Sequence, residues 1–391
     1  MLKKIVFSFL LVGFISSCLD PYSVDVEESK DLLVVDACIT NENRSHQVKL
    51  TRSIPNLGEV PKVETNALVT ISCNDGTQEI LKEYYPGVYK TDSLNFVVKI
   101  GKVYTLSIQI SNGKKYSSEE CEILEPSEID KIYYERQNVV SSKNESMEGI
   151  SFFIDGNTSK SQYLRWMYEE DWKFSAAYPN LITFDENKNF IRLPVKNYYC
   201  WKKSESNDIS IYSLRNQNST EVKGKKICFI PSDNTDRFNF KYAIQIKQLS
   251  ISKKEYEFWD KLKNLSENVG DVFGSQPSTL VGNIKSDDDK NEPVLGYFQT
   301  GSVASKRIFI DYDDVVDLKL ELRNNQPDCI IDTVVVDGEN FNSYYDIFEE
   351  YVLNGNKKIY SLYDHSVLLV TPKCCDCSLT GTSKKPKFWE N

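Results

Sequence analysis

The chain has 391 residues, of which 40% are hydrophobic and 27% are charged, so it is long enough for two or three domains and too apolar for a disordered protein. Its 47 basic and 57 acidic side chains give a net charge of −10, which argues against a nucleic-acid partner because phosphate needs a basic surface. The chain contains two histidines, which excludes a multi-histidine metal site.

The N-terminus carries a localisation signal. Two lysines precede an apolar run, Ile5–Ile15, and Ser16-Ser17-Cys18 follows. This order is typical of a signal peptide over residues 1–17, and the run is shorter than the roughly 20 residues that span a bilayer. Its ending resembles a bacterial lipobox, in which the cysteine becomes the acylated first residue, so Cys18 is predicted to carry lipid. An ordinary signal peptide with a coincidental cysteine is the alternative.

The segment that follows is polar and acidic. We expect residues 18–31 to form a tether between the lipid and the folded protein. Acidic residues close to a lipidated cysteine resemble the surface-export signal of Bacteroidota lipoproteins, and a solvated linker is the alternative. The predicted location is the outer membrane, with a lipid anchor and either a periplasmic or a surface-exposed face.

From residue 32 the pattern becomes that of β-strands. Apolar residues alternate with polar ones over 67–73 and again over 104–110, and Asn-Asp-Gly and Asn-Gly turns follow these segments at 74–76 and 112–113. Short strands separated by turns predict an immunoglobulin-like β-sandwich over residues 32–125.

The remainder, residues 126–391, is predicted to be a larger β-rich domain. Its clearest strand runs from Phe238 to Ile246, with one apolar and one mostly polar face. A single helix is predicted near 252–269, because Ser252 and Glu255 have capping-box spacing and apolar residues recur at helical intervals. Its aromatic residues are expected to pack on a sheet.

Ten cysteines are present. Lipidation of Cys18 leaves nine, so at least one thiol is unpaired within the chain. Cys374 and Cys377 have C-x-x-C spacing, for which we favour a structural disulfide that joins the C-terminal tail to the body, for example through Cys329. A zinc site that recruits Cys329 and Cys375, or a redox pair, is the alternative.

No sequence motif of an enzyme is found. A hydrolytic triad would have to use His46 or His365, and the Asp-His-Ser sequence around His365 cannot form one because neighbouring side chains on a strand point to opposite faces. Acidic clusters at 287–289 and 311–314 lack the pattern of a calcium loop and are interpreted as solvated loops. We therefore predict a non-enzymatic protein with neither a cofactor nor a metal.

Aromatic residues are the candidate ligand contacts. Trp166, Trp172 and Trp201 lie in the second domain, where exposed rings would stack on a sugar or grip a partner. Packing in the core is the alternative, and it is the one we favour.

Several local motifs together resemble one family. These motifs are the lipobox, Gly87-Val88-Tyr89, Gly101-Lys-Val-Tyr104, Asn112-Gly113-Lys-Lys-Tyr116, Tyr199-Cys200-Trp201, the stretch from Arg237 to Trp259, Gly282-Asn283-Ile284, Val294-Leu295-Gly296-Tyr297-Phe298, Cys374-Cys375-Asp376-Cys377 and Pro386-Lys-Phe-Trp389. The family is the Bacteroidota domain of unknown function 4249, and the resemblance spans nearly the whole mature chain. It implies an outer-membrane lipoprotein that is often encoded beside a TonB-dependent receptor, and it implies no activity or binding residues.

The functional hypothesis follows from the leader and the resemblance. We expect a lipid-anchored accessory or ligand-binding partner of a TonB-dependent transporter, with a small-molecule, peptide or glycan ligand. A glycan-binding protein that acts alone is the alternative, and a hydrolase is a third candidate.

Overall fold

The computed structural model describes residues 31–54, 58–140, 144–158, 161–187, 189–215, 220–267, 280, 282–322, 329–336 and 341–390. The predicted signal peptide, Cys18 and all of the tether except residue 31 lie outside these ranges. Within them, no helix combines the length and the apolarity needed to cross a membrane. The predicted mainly β fold is confirmed.

The described chain contains 23 strands, three α-helices and a π-helical segment. The strands are β1 (Leu33–Thr40), β2 (Gln47–Arg52), β3 (Leu68–Cys73), β4 (Gln78–Ile80), β5 (Lys82–Tyr85), β6 (Val88–Lys90), β7 (Val103–Gln109), β8 (Lys115–Ser118), β9 (Cys121–Glu122), β10 (Glu128–Val140), β11 (Ser146–Asn157), β12 (Tyr163–Ser175), β13 (Ile182–Phe184), β14 (Phe190–Arg192), β15 (Tyr199–Glu205), β16 (Ser210–Ser213), β17 (Glu221–Pro231), β18 (Lys241–Ser250), β19 (Ile284–Ser286), β20 (Leu295–Asp311), β21 (Asp332–Val335), β22 (Lys358–Tyr363) and β23 (Ser366–Val370). The helices are α1 (Lys253–Glu267), α2 (Tyr312–Asp317) and α3 (Phe341–Ile347), and the π-helical segment is Phe348–Leu353.

One nine-stranded sheet organises the molecule. Its spatial order is β15-β12-β18-β20-β1-β2-β6-β5, and β16 pairs with β12 beside this path. Neighbouring strands are antiparallel except β1 and β20, which run parallel with Val35 opposite Gly296 and Cys38 opposite Gln299. This parallel pair is the seam between strands from residues 33–90 and strands from residues 163–311.

Two smaller sheets cover one face of the large sheet. The six-stranded sheet β19-β8-β7-β3-β4, with β9 beside β7, closes the first core, and the sheet β10-β11-β17 closes the second. Phe298 belongs to the first core and Ile310 to the second. These two residues lie an even number of positions apart on β20, so both side chains point to the same face of the strand. These three sheets therefore form two sandwiches that share the large sheet.

The first sandwich extends beyond the boundary predicted at residue 125. Strand β19 pairs with β8, and Ile284, Val294 and Phe298 are buried in the first core. Residues 284–298 therefore complete a unit that begins at residue 33. Strand β2 pairs with one edge of β1, and the other edge is paired only by β20.

The helical predictions need two corrections. Helix α1 lies where it was predicted, and α2 and α3 are additional short helices. Ser252 accepts a hydrogen bond from the Glu255 backbone amide at 3.2 Å, as a capping box requires. The Glu255 side chain does not complete that box, because it is buried and accepts hydrogen bonds from Trp259 and from the Thr300 amide instead.

Two disulfides hold the C-terminal segment. The structure joins Cys329 to Cys374 and Cys377 to Cys200 on β15. Their sequence separations are 45 and 177 residues, so the second bond closes the longer loop and places a stronger constraint on the unfolded chain.

The seam requires glycine at two positions. Gly296 has φ of 91°, and a Cβ atom there would overlap the Val35 carbonyl oxygen of β1. A Cβ atom at Gly282 would overlap the Gly296 carbonyl oxygen. Between them, Asn283 imitates a strand neighbour, since its amide donates to the Phe298 carbonyl at 2.9 Å and accepts from the Phe298 amide at 2.8 Å. Close backbone contact therefore fixes how β20 meets β1.

We predict that Gly296→Ala lowers the free energy of unfolding by more than about 3 kcal/mol, because the methyl group adds steric overlap to backbone strain. Gly113→Ala is the matched control. Gly113 has φ of 93° with open space around its Cα, so the strain alone should cost about 1 kcal/mol. Urea unfolding of both variants measures the difference, and equal losses would contradict the proposed close contact at the seam.

Candidate functional site

The face of the nine-stranded sheet that the two sandwiches leave free contains a polar cavity of about 270 Å³. We call it the seam cavity, because it lies over the parallel pair β1 and β20 and extends to β18 and β12. Its walls are formed by Asp36, Cys38, Arg44, Gln47, Arg165, Met167, Tyr168, Glu169, Glu205, Ser206, Lys247 and Gln299.

Strand alternation and register bring these residues together. Val35 and Ala37 fill the first core, so the alternate residues Asp36 and Cys38 face the other side of β1. The register sets Gln299 of β20 opposite Cys38. Strand β18 is the next neighbour of β20, and its Lys247 lies opposite Met167 of β12. Arg165 and Glu169 of β12 share the face of Met167. Chain segments far apart in sequence thus build one wall.

Lys247 is the centre of an ion-pair network on one side of the cavity. Its ammonium lies 3.0 Å from Glu42 and 2.6 Å from Glu169. Glu42 also pairs with Arg44 at 3.0 Å, and Glu169 pairs with Lys203 at 3.2 Å. Each carboxylate therefore has two cations, and each buried charge has a partner.

The two carboxylates remain ionised at neutral pH. Burial alone would raise the pKa of Glu42, but Lys247 and Arg44 outweigh it and hold that pKa below its ordinary value. The pKa of Glu169 is likewise lowered, because Lys247 and Lys203 outweigh the effect of its burial. This side of the cavity is a fixed and internally compensated set of charges.

Arg165 on the other side is differently surrounded. Its side chain is buried, and its guanidinium carbon lies 3.7 Å from the centre of the Trp259 ring of α1. Its Nη1 donates to the Gln299 side-chain oxygen, and its Nε has no hydrogen-bond partner in the described chain. Among the described residues, no carboxylate lies within the 4.0 Å that defines an ion pair with it. Stacking and one neutral acceptor hold this cation in place.

Glu255 is the charged residue that influences Arg165 most strongly. Burial raises the pKa of Glu255 to about 7, although Arg165 and the hydrogen bonds from Trp259 and Thr300 act against this. Burial therefore favours the protonated, neutral form of this carboxyl. It compensates the guanidinium charge only in part.

Cys38 lies beside Arg165 in the cavity wall. Burial raises the pKa of its thiol to about 12, and Glu255 acts in the same direction. At neutral pH the residue is a thiol, which is a poor nucleophile compared with a thiolate.

Residues 19–307 match the family described as Domain of unknown function (DUF4249). The chain belongs to this family. The matched residues include the seam, the lining of the cavity and the strands of both sandwiches as far as residue 307 of β20, whereas the cysteines at 374–377 and Trp389 lie beyond the match. No curated protein matches the chain in sequence.

Two of the three candidate ligand-contact tryptophans are core residues of this DUF4249 chain. Trp166 is buried and donates to Gln248 at 2.9 Å, and Trp172 is buried and donates to Asp236 at 2.7 Å. Both side chains therefore pack in the core, which is the alternative that the sequence analysis favoured over ligand contact. Trp201 is half-buried, lies opposite Lys173 on the other face of the sheet from Trp172, and does not line the seam cavity.

The cysteines predicted as a tail-to-body disulfide are not available to a metal. Cys329, Cys374 and Cys377 are all oxidised in the two disulfides, so their sulfurs are not thiolate ligands. Within the described ranges, no three histidine, cysteine or acidic side chains are grouped to hold a metal ion. The zinc alternative is therefore dropped for these residues.

The histidines lie apart from the cavity lining. His46 is buried beside Phe96, and desolvation lowers its pKa to about 4, so its ring is neutral at physiological pH. His365 has φ of 54° in the turn between β22 and β23.

The sequence-based prediction missed the cavity residues. Arg165 lies in β12, and Lys247 directly follows the predicted strand 238–246 within β18; each alternates with apolar residues of its strand. A charged residue inside the aromatic segment 163–168 was the available signal. Its partners could not be found, because the register across β12, β18, β20 and β1 is set by tertiary structure.

We predict that Glu255→Gln becomes increasingly stabilising as the pH rises. Between pH 4.5 and 7 the unfolded chain loses the Glu255 proton and the folded chain keeps it, so the free energy of unfolding falls as pH rises and is constant above pH 7. Glutamine removes that loss, so the stability of the variant relative to native protein should increase by roughly 2 kcal/mol from pH 5 to pH 8.

Urea unfolding at four pH values between 5 and 8 checks this prediction. Glu257→Gln is the control, because Glu257 is an exposed residue of the same helix and pairs with Lys253 on the surface. Its stability curve should run parallel to that of native protein. A Glu255→Gln curve that is also parallel would contradict a raised pKa.

Proposed function

We propose that this DUF4249 protein is a lipid-anchored outer-membrane protein of a Bacteroidota cell envelope, and that it is a non-enzymatic, ligand-binding partner of a TonB-dependent transporter. The observation that carries the proposal is the seam cavity, a pre-formed and mostly polar concave site. The Ser-Ser-Cys18 leader supports the anchor. The two disulfides support export, because such bonds persist mainly in oxidising compartments.

The chemistry of the cavity favours binding over catalysis. Lys247 is held in ion pairs with Glu42 and Glu169, and the thiol of Cys38 has a pKa of about 12. A general base or an activated nucleophile needs a pKa near the working pH and a free lone pair. Fixed charges on a rigid sheet are instead suited to orient a polar ligand.

A glycan-binding role has less support. It depended on stacking by Trp166, Trp172 and Trp201, and the first two rings lie in the core. Ligand binding at the seam cavity uses charged groups instead.

The anchor is tested by metabolic labelling with an alkyne analogue of palmitate. We expect label on the native protein and none on Cys18→Ser, whereas Cys38→Ser, which changes a cysteine of the folded body, should keep the label. An unlabelled native protein, or an intact mass that still contains residues 1–17, would count against the proposed anchor.

The partner is tested by mild-detergent purification of the native protein from its own membranes, followed by mass spectrometry. We expect a TonB-dependent receptor among the co-purified proteins, and we expect Cys18→Ser to reduce its recovery because anchoring raises the local concentration. Recovery of the native protein without any such receptor would argue against a transporter partner.

A further inference from the structure

Arg165 is a buried cation that lines the seam cavity without a carboxylate partner in the described chain. An arginine remains charged in proteins, and an unpaired buried charge is unfavourable by several kcal/mol in order of magnitude. Stacking on Trp259 and the bond to Gln299 supply part of the compensation. The Nε atom remains without a partner among described residues.

The neighbouring charges do not meet this need. Lys247 and Arg44 take up Glu42 and Glu169, so those carboxylates already have partners. Burial raises the pKa of Glu255 to about 7, and this carboxyl interacts with Arg165 at longer range than an ion pair. Arg165 therefore forms no ion pair with any carboxylate of the described residues.

Asp36 supplies the opposite charge at the entrance of the same cavity. It is exposed on β1, lines the cavity, and makes no ion pair with a described residue. The cavity therefore presents one buried cation in its interior and one exposed anion at its entrance, and neither forms an ion pair with a described residue, although Asp36 acts electrostatically on Arg165 at longer range. Its volume of about 270 Å³ equals that of roughly nine water molecules, which is suitable for a ligand of amino-acid or dipeptide size.

We propose that the seam cavity binds a small zwitterion, an α-amino acid or a short peptide, with its carboxylate on Arg165 and its ammonium towards Asp36. Arginine presents a planar fork of donors that matches a carboxylate, and Trp259 and Gln299 hold that fork in place before the ligand arrives. The proposal rests on the proposed ligand-binding role. It does not depend on the lipid anchor or the transporter, so its failure would leave the labelling and purification results unchanged.

Thermal unfolding and calorimetric titration of the full chain test the proposal. The probes are a mixture of the twenty common L-amino acids, the matched mixture of their carboxamides, and a mixture of twenty dipeptides. We expect the amino acids or the dipeptides to raise the thermal midpoint by at least about 2 °C, with saturable heat, and the carboxamides to have no effect. No shift with either carboxylate mixture, or an equal shift with the carboxamides, would overturn the proposal.

Two arginine variants locate the binding. Arg165→Met should weaken the affinity of the active probe at least tenfold, and Arg307→Met should leave it unchanged. Arg307 is the matched control, because it lies on the same face of the sheet, stacks on Phe388 at 3.5 Å and does not line the cavity. Equal binding by native protein and Arg165→Met would overturn the assignment of Arg165.

Stability without ligand separates a binding role from a structural one. Arg165→Met removes an uncompensated charge and keeps an apolar chain against Trp259, so its midpoint should equal or exceed that of native protein. A large fall in midpoint would show that Arg165 supports the fold and would overturn its role as an anchor. Arg165→Lys is the second variant in the titration, and the same tenfold loss is expected because the planar fork is absent.

Asp36→Asn tests the other end of the ligand. This variant should lower the affinity for the active probe at least threefold. It should leave unchanged the much weaker affinity for propionate, which lacks an ammonium group. Propionate that binds native protein as tightly as the zwitterion would overturn the role of Asp36.

Discussion

The parallel pairing of β1 with β20 is the constraint on which the rest of the structure depends. It joins two chain segments about 260 residues apart and turns what would be two separate sheets into one nine-stranded sheet. An unpaired β1 edge would leave backbone donors and acceptors without partners, and the first core would lose Phe298. The glycines at 282 and 296 make this contact sterically feasible, and the Asn283 side chain replaces a missing strand neighbour.

The seam also explains where the cavity lies. One face of the large sheet is covered by the two smaller sheets, so the polar residues of its central strands collect on the other face. Trp259 of helix α1 stacks on Arg165, and Glu255 of the same helix is buried. This burial lowers the local dielectric constant, so the charges there interact more strongly with one another. The result is a network of ion pairs around Lys247 beside Arg165, which forms no ion pair with a described residue.

Much of the architecture follows from local sequence patterns. Alternation along 67–73, 104–110 and 238–246 identified strands, and the spacing around Ser252 located the start of α1. The pairing of β1 with β20 could not be predicted, because strand alternation shows which face is buried and not which distant strand lies beside it. The same limit applied to Glu255, which had the spacing of a cap and is instead a buried acceptor, and to Trp166, whose burial depends on a sheet formed by other parts of the chain.

The central claim is that residues 33–50 and 284–311 form one cooperative unit through the seam. Native-state hydrogen exchange followed by mass spectrometry tests it directly, since amides that open only by global unfolding exchange with the same free energy. The account predicts one common protection level for peptides from β1 and from β20, and equal loss of both when denaturant is added. A first sandwich that exchanges independently, with β1 open while β18 and the second half of β20 stay protected, would contradict it.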